Sequence, residues 1–114
     1  MHRKGKIILI PFPFTDLSSS KVRPAVIVSN IKHGGDLVVV FISSVKTKRL
    51  QNTDVVVKST SKNFSETGLK VDSIIKVGKI ATLDKKIVLG EIGEVSEAIE
   101  KEINKRIKIL FGLS

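Results

Sequence analysis

Cysteine is absent from the 114 residues, and so are tryptophan and tyrosine. Without cysteine there is no disulfide, no thiolate zinc site and no cysteine nucleophile, a composition that fits a reducing compartment. Five phenylalanines are the whole aromatic complement, so base stacking can draw on few rings. No apolar run approaches the roughly 20 residues that cross a bilayer as a helix, which argues against a membrane partner. Internal repeats, low-complexity tracts, a P-loop, a GxSxG elbow and a dinucleotide fingerprint are missing too. Acids are scarce: eleven Asp and Glu stand against twenty Lys and Arg, a formal charge of +9.

That excess of cations points to a polyanionic partner: RNA, DNA or an acidic protein segment. Five of the eleven acids fall between Glu91 and Glu102, so the preceding residues are more basic still. The other six are Asp16, Asp36, Asp54, Glu66, Asp72 and Asp84. They stand singly, without the pairing of a two-metal nuclease. Asp84, before Lys85 and Lys86, reads as a turn former. His2 and His33 read as surface histidines without neighbours to complete a metal site. No metal and no cofactor is expected. The opening "MHRKGKIILIPFPF" is basic and then apolar, as secretory signals are. Its apolar run ends at Pro11 with no small-residue cleavage site, so it reads as mature protein.

The length suggests one domain over 1–114, enough chain to bury roughly 65% of its unfolded surface. Short runs rich in Val and Ile predict strands at Lys6–Ile10, Ala25–Ser29, Leu37–Ser43, Asp54–Lys58 and Ser73–Ala81, the first stopped by Pro11. "LVVVFI" is apolar at successive positions, so both faces of that strand should be covered. Gly34-Gly35 marks a hairpin turn. In "SEAIEKEINKRIKILFG" apolar residues at Ala98, Ile99, Ile103, Ile107, Leu110 and Phe111 recur at helical spacing. Ser96 is the expected N-cap and Gly112 the stop. The expected fold is mainly β: a small, strongly bent SH3-like barrel of antiparallel strands with a C-terminal α-helix. Two long connections, Pro11–Val22 and Ser59–Asp72, are candidates for function.

The chemistry available is hydroxyl and cationic. Ser43 and Ser44 end the third strand, Lys46, Lys48 and Arg49 follow, and Arg23 closes the first long connection just before Pro24. Arginine is always charged and forks onto phosphate oxygens. Such a set suits RNA cleavage by RNA's own 2′-OH, which needs in-line positioning and stabilisation of charge at phosphorus. The same residues would serve plain phosphate binding, and the residues alone leave both open. Phe12, Phe14 and Phe64 are candidates for base stacking, with one of Phe12 and Phe14 expected in the core.

Taken in order, "KGKIILIPFPFTDLSSSKVRPAVIVS", "VVVFISS" and "TGLKVDSIIKVGKIATLDK" resemble the MazF/PemK family of type II toxin–antitoxin endoribonucleases. The resemblance runs from about Lys4 to Gly112 and is strongest at Gly5–Ser29 and Gly68–Asp84. The PFPFTD form is similar to the PemK-like branch. The resemblance implies a CcdB/PemK-type barrel, a homodimer in the cytoplasm, and a cognate antitoxin with an acidic segment. It also implies metal-independent, sequence-selective cleavage of single-stranded RNA, leaving a 2′,3′-cyclic phosphate. It places the catalytic arginine on Arg23 and the catalytic hydroxyl on Ser43, with Ser44 beside it. RNA contacts are expected from Phe14, Thr15, Asp16, Lys21, Lys46, Lys48, Arg49 and Lys76. Two positions depart from the family. The usual threonine is Ser43, which keeps the hydroxyl but loses the methyl that fixes its rotamer. An Arg-x-Asp pair on the fifth strand of some members reads Lys76 and Gly78 here. The alternatives are a non-catalytic toxin of the same fold, such as a gyrase poison, and a basic SH3-like RNA-binding module.

Overall fold

Side chains branched at Cβ lose little on a pleated surface and pack well there, and valine and isoleucine build most of this sheet. The computed structural model describes residues 2–12, 21–30, 34–44 and 49–114. Its strands are β1 (Lys6–Phe12), β2 (Lys21–Ile27), β3 (Asp36–Ser44), β4 (Asp54–Val57), β5 (Ser73–Asp84) and β6 (Gly90–Glu94), followed by α1 (Glu97–Phe111). They form one sheet in the order β4-β5-β3-β2-β1-β6, with every neighbouring pair antiparallel. The mainly β expectation, with a terminal helix, holds: the sheet curls into a half-barrel.

Both faces of the sheet are apolar. Ile7, Val26, Val40, Ile42, Val55, Val57, Ile75 and Val77 share one cluster with Val95 and with Ile103 of α1. Ile8, Ile10, Ala25, Ile27, Leu37 and Val39 form a second cluster. On β3 the expected double coverage is seen, with Leu37, Val39, Val40 and Ile42 each at most 3% exposed.

Prolines 11 and 24 lie inside strands, contrary to the expectation that Pro11 ends β1. Each sits where one flanking ladder has stopped. Pro11 pairs with Val22 of β2, while the β1–β6 ladder ends at Leu9–Gly90. Pro24 pairs with Leu9 of β1, while the β2–β3 ladder begins only at Ala25–Phe41. A residue without an N–H is tolerated where no partner asks for one.

The β4–β5 connection reaches across the curl. It carries a 3-10 turn at Phe64–Thr67, and Asp72 Oδ1 accepts from Ser59 N at 2.6 Å to tie its ends. That hydrogen bond holds the Asp72 carboxyl below the usual carboxylate range. Phe64 and Leu69, both partly buried, pack on the first cluster with Ile92 of β6. The approach is very close: a Cβ on Gly93 would lie 2.3 Å from Glu66 O.

Helix α1 has the expected ends. Ser96 Oγ accepts from Ile99 N, and Gly112 closes the helix in the left-handed region at φ 65. Ile99, Ile103 and Ile107 pack on the sheet. The last turn differs from expectation, because Leu110 and Phe111 are exposed along with Ile109 and Leu113. Asp84 does form a turn, its Oδ1 accepting from Lys86 N at 2.9 Å. None of the described helices is long and apolar enough to cross a membrane.

Gly93→Ala should therefore destabilise by about 3 kcal/mol, the upper range for overpacking, because backbone rather than a side chain must move. Gly90→Ala, where the added Cβ meets nothing within 4 Å, should be neutral or up to about 1 kcal/mol stabilising. Urea unfolding of the two variants checks the contrast; equal midpoints would contradict the packing described.

Candidate functional site

Alternation along each strand sorts the site residues by face. Arg23 pairs with Ile10 and Ala25 with Ile8, and both isoleucines belong to the second cluster. Lys21 pairs with Phe12 two residues further on, so Lys21, Arg23 and Ala25 all belong to that face. The β2–β3 register runs Ile27–Val39, Val26–Val40, Ala25–Phe41. The paired ladder ends at Ala25–Phe41; carried two residues further, its register would put Arg23 opposite Ser43 on the same face. Backbone pairing between the two strands has ended there, so the side chains border an opening in the sheet. Arg23 is half-buried and Lys21 exposed.

The same face continues onto β5 and β4. Ser43 pairs with Ile74 and Phe41 with Lys76, and Lys76 pairs in turn with Asp54. Lys76 is thus the diagonal neighbour of Ser43, within reach of a long side chain. Its Nζ lies 3.6 Å from Asp54 Oδ2, and the Asp54 side chain is 2% exposed. The register of β3 with β5 slips between Val40 and Phe41, where Val77, Gly78 and Lys79 have no opposite residue. Gly78 is exposed in this bulge.

Ser44 is on the other face. It pairs with Ser73, which pairs with Val57, a member of the cluster beneath α1. The two serines therefore do not share a surface, and Ser43 is the one that faces Arg23. Arg49 is exposed in the connection before β4. Phe14, Thr15, Asp16, Lys46 and Lys48 lie outside the described residues, as do His33 and the side chain of Phe12. Sequence reasoning missed Asp54 and Phe41 as members of this face. The available signal was period-two alternation: a carboxylate at the head of "DVVV" shares a face with Val56.

Charge is distributed unevenly. Four of the five acids from Glu91 to Glu102 are engaged at β6 and α1: His2 Nδ1 is 2.7 Å from Glu91 Oε2, Lys6 Nζ is 2.7 Å from Glu94 Oε1, Lys101 pairs with Glu97, and Arg106 pairs with Glu102. The Lys6 ammonium holds the Glu94 carboxyl below its ordinary range. Among the described residues Arg23 has no ion-pair partner. No group of three or more His, Asp or Glu that could hold a metal occurs among the described residues.

The sequence matches the profile of the PemK-like, MazF-like toxin of type II toxin–antitoxin system over residues 3–111. The chain belongs to this toxin family. The fold agrees. A mycobacterial endoribonuclease in complex with its cognate antitoxin superposes with a TM-score of 0.76 at 23% identity, covering 98% of this chain and 96% of that one. The toxin MazF-mt6 of Mycobacterium tuberculosis gives 0.73 at 19% identity, covering 96% and 98%. A MazE–MazF structure from Deinococcus radiodurans gives 0.73 at 16% identity, covering 98% and 96%. No curated protein matches the chain. Members of the MazF/PemK family thus share this curled sheet at identities low enough that the likeness is one of fold.

Facing register positions on antiparallel strands hold Cα atoms at disulfide distance, and the protein has no cysteine of its own. Arg23→Cys with Ser43→Cys should therefore close an intramolecular disulfide on mild oxidation. Arg23→Cys with Ser44→Cys should keep two free thiols, since those side chains leave the sheet in opposite directions. Thiol titration under denaturing conditions reads the result; equal closure of both pairs would contradict the register.

Proposed function

We propose that the protein is a metal-independent, sequence-selective endoribonuclease that acts on single-stranded RNA as the toxin of its pair. The observation that carries this reading is that Arg23 and Ser43 stand on one face, just beyond the end of the β2–β3 ladder, with Lys76 diagonal to Ser43 on the neighbouring strand. In the proposed step the 2′-oxygen attacks the adjacent phosphorus as its proton passes to water, and the P–O5′ bond breaks as water returns a proton to the 5′-oxygen. The products are a 2′,3′-cyclic phosphate and a 5′-OH. The Arg23 guanidinium is suited to bind two phosphoryl oxygens at once and to stabilise the charge that develops on them. It does not serve as a base, because arginine stays protonated. Ser43 supplies a hydroxyl for the 2′-OH or a phosphoryl oxygen, and Lys76 and Lys21 add cations along the face.

The partners follow from charge and family. Net charge of +9 favours an antitoxin with an acidic segment that covers the same face and competes with RNA. The mycobacterial relative in complex with its cognate antitoxin supports such a pairing. We place the protein in the cytoplasm as a twofold homodimer, for which the exposed Ile109, Leu110, Phe111 and Leu113 offer apolar surface. A non-catalytic toxin or a plain RNA-binding module would bind without cutting.

Cleavage of a long single-stranded RNA should persist in EDTA, spare DNA, and stop when the scissile nucleotide carries a 2′-deoxy sugar. End-group analysis by gel separates the outcomes. Loss of activity in EDTA with recovery in magnesium would overturn the 2′-OH mechanism, and binding without cleavage would favour the non-catalytic reading.

A further inference from the structure

Asp54 is an unusual residue for its place. It is a carboxylate at the head of a short apolar strand, with its side chain 2% exposed. Ionised groups are costly to bury unless paired and hydrogen-bonded. Two partners meet that cost here, and both contact Oδ2: Gln51 N donates to it at 2.9 Å, and Lys76 Nζ lies 3.6 Å away.

The turn that presents Asp54 is fixed at several points. Asp54 N donates to Gln51 O at 3.0 Å, and Arg106 NH1 of α1 donates to Asn52 O at 2.6 Å. Arg106 is itself held by Glu102, Nε to Oε1 at 2.9 Å. A chain of contacts therefore runs from the helix through the turn to Asp54, and from Asp54 to the Lys76 ammonium on the site face. Lysine is a flexible point charge, and the Lys76 side chain is 24% exposed.

The geometry points to Asp54 as a positioning residue for the reaction: through its buried carboxylate it holds the Lys76 ammonium at the β4 side of the face that carries Ser43 and Arg23, so that a second cation meets the RNA phosphates at a fixed place along the strand rather than next to Arg23. This rests on the proposed endoribonuclease reading and adds a residue to it. The acid comes from β4, across the sheet, rather than from the strand that carries the cation. Position 78, two residues beyond Lys76, is a glycine in the bulge and supplies none.

Asp54→Asn is the direct test, because the amide oxygen still accepts from Gln51 N while the charge on Lys76's partner is gone. Single-turnover cleavage at saturating protein should slow roughly ten- to a hundredfold, the scale on which a displaced group affects rate. Affinity for an uncleavable RNA carrying a 2′-deoxy sugar at the scissile position should hold or tighten, since the variant is one charge more basic. Lys76→Gln should slow cleavage similarly, and the double variant no further than Lys76→Gln alone. A merely structural Asp54 would instead lower the melting temperature and lose binding and rate together, and that result overturns the inference. So does an Asp54→Asn protein cleaving at the wild-type rate, or losses that multiply in the double variant. Should Asp54→Asn fail to fold, Asp54→Glu keeps the charge at altered reach: a reduced rate with binding intact supports positioning, and a wild-type rate opposes it. Wild-type protein that does not cleave at all is a different failure, that of the endoribonuclease reading itself.

Discussion

The site depends on one missing hydrogen. Pro24 has no N–H to offer a neighbouring strand, and the β2–β3 ladder begins only at Ala25–Phe41. On its other side β2 stays paired with β1 as far as Lys21–Phe12. Arg23 is thus paired with β1 on one side and beyond the end of the β2–β3 ladder on the other, which anchors its backbone. Ser43 occupies the matching position on β3, whose outer edge remains paired with β5 through Ser44–Ser73. Both residues stand on strands that are supported on one side and open on the other. Catalysis by preorganised charge requires such rigidity, because donors that must first be ordered lose much of their advantage.

The second feature is a sheet with two apolar faces and different loads on each. One face is covered by α1 and by the 3-10 turn that returns to β6. The other combines a patch of buried aliphatics with the polar row of Arg23, Ser43, Lys76 and Asp54. Because the side-chain period of a strand is two, adjacent residues part company. Ser43 goes to the site and Ser44 to the helix side. The acids that would oppose a polyanion are concentrated on β6 and α1, where they pair with His2, Lys6 and Arg106.

Much of this was legible in the sequence where local chemistry decided it. The β-branched runs marked five strands. Ser96, Gly112 and the apolar spacing marked α1, and Asp84 behaved as a turn former. Errors came where a distant segment supplied the partner. "KVRP" reads as loop, with two cations and a proline, yet Lys21–Pro24 is strand because β1 lies beside it. "GEIGE" has a single strand former, Ile92, among glycines and glutamates; β6 exists because β1 offers an edge and because Gly93 lets the 3-10 turn approach. Phe64, read as a stacking candidate, is partly buried against the core because that turn packs it there. For the proposed site, Arg23 and Ser43 were candidates because the residues around them along the chain carry the family resemblance. Asp54 was not, because its role comes from pairing with Lys76 across two strands.

The most direct test of the account is the rate of RNA cleavage by Arg23→Ala under single-turnover conditions, with melting temperature and oligomeric state compared with wild type. Losing a preorganised donor to a developing oxyanion costs on the order of 100- to 1000-fold in rate, and a half-buried side chain at the end of a ladder should cost little stability. A folded protein slowed by that factor, only partly rescued by Arg23→Lys, is the predicted result. Near wild-type cleavage by a folded Arg23→Ala protein would contradict the account.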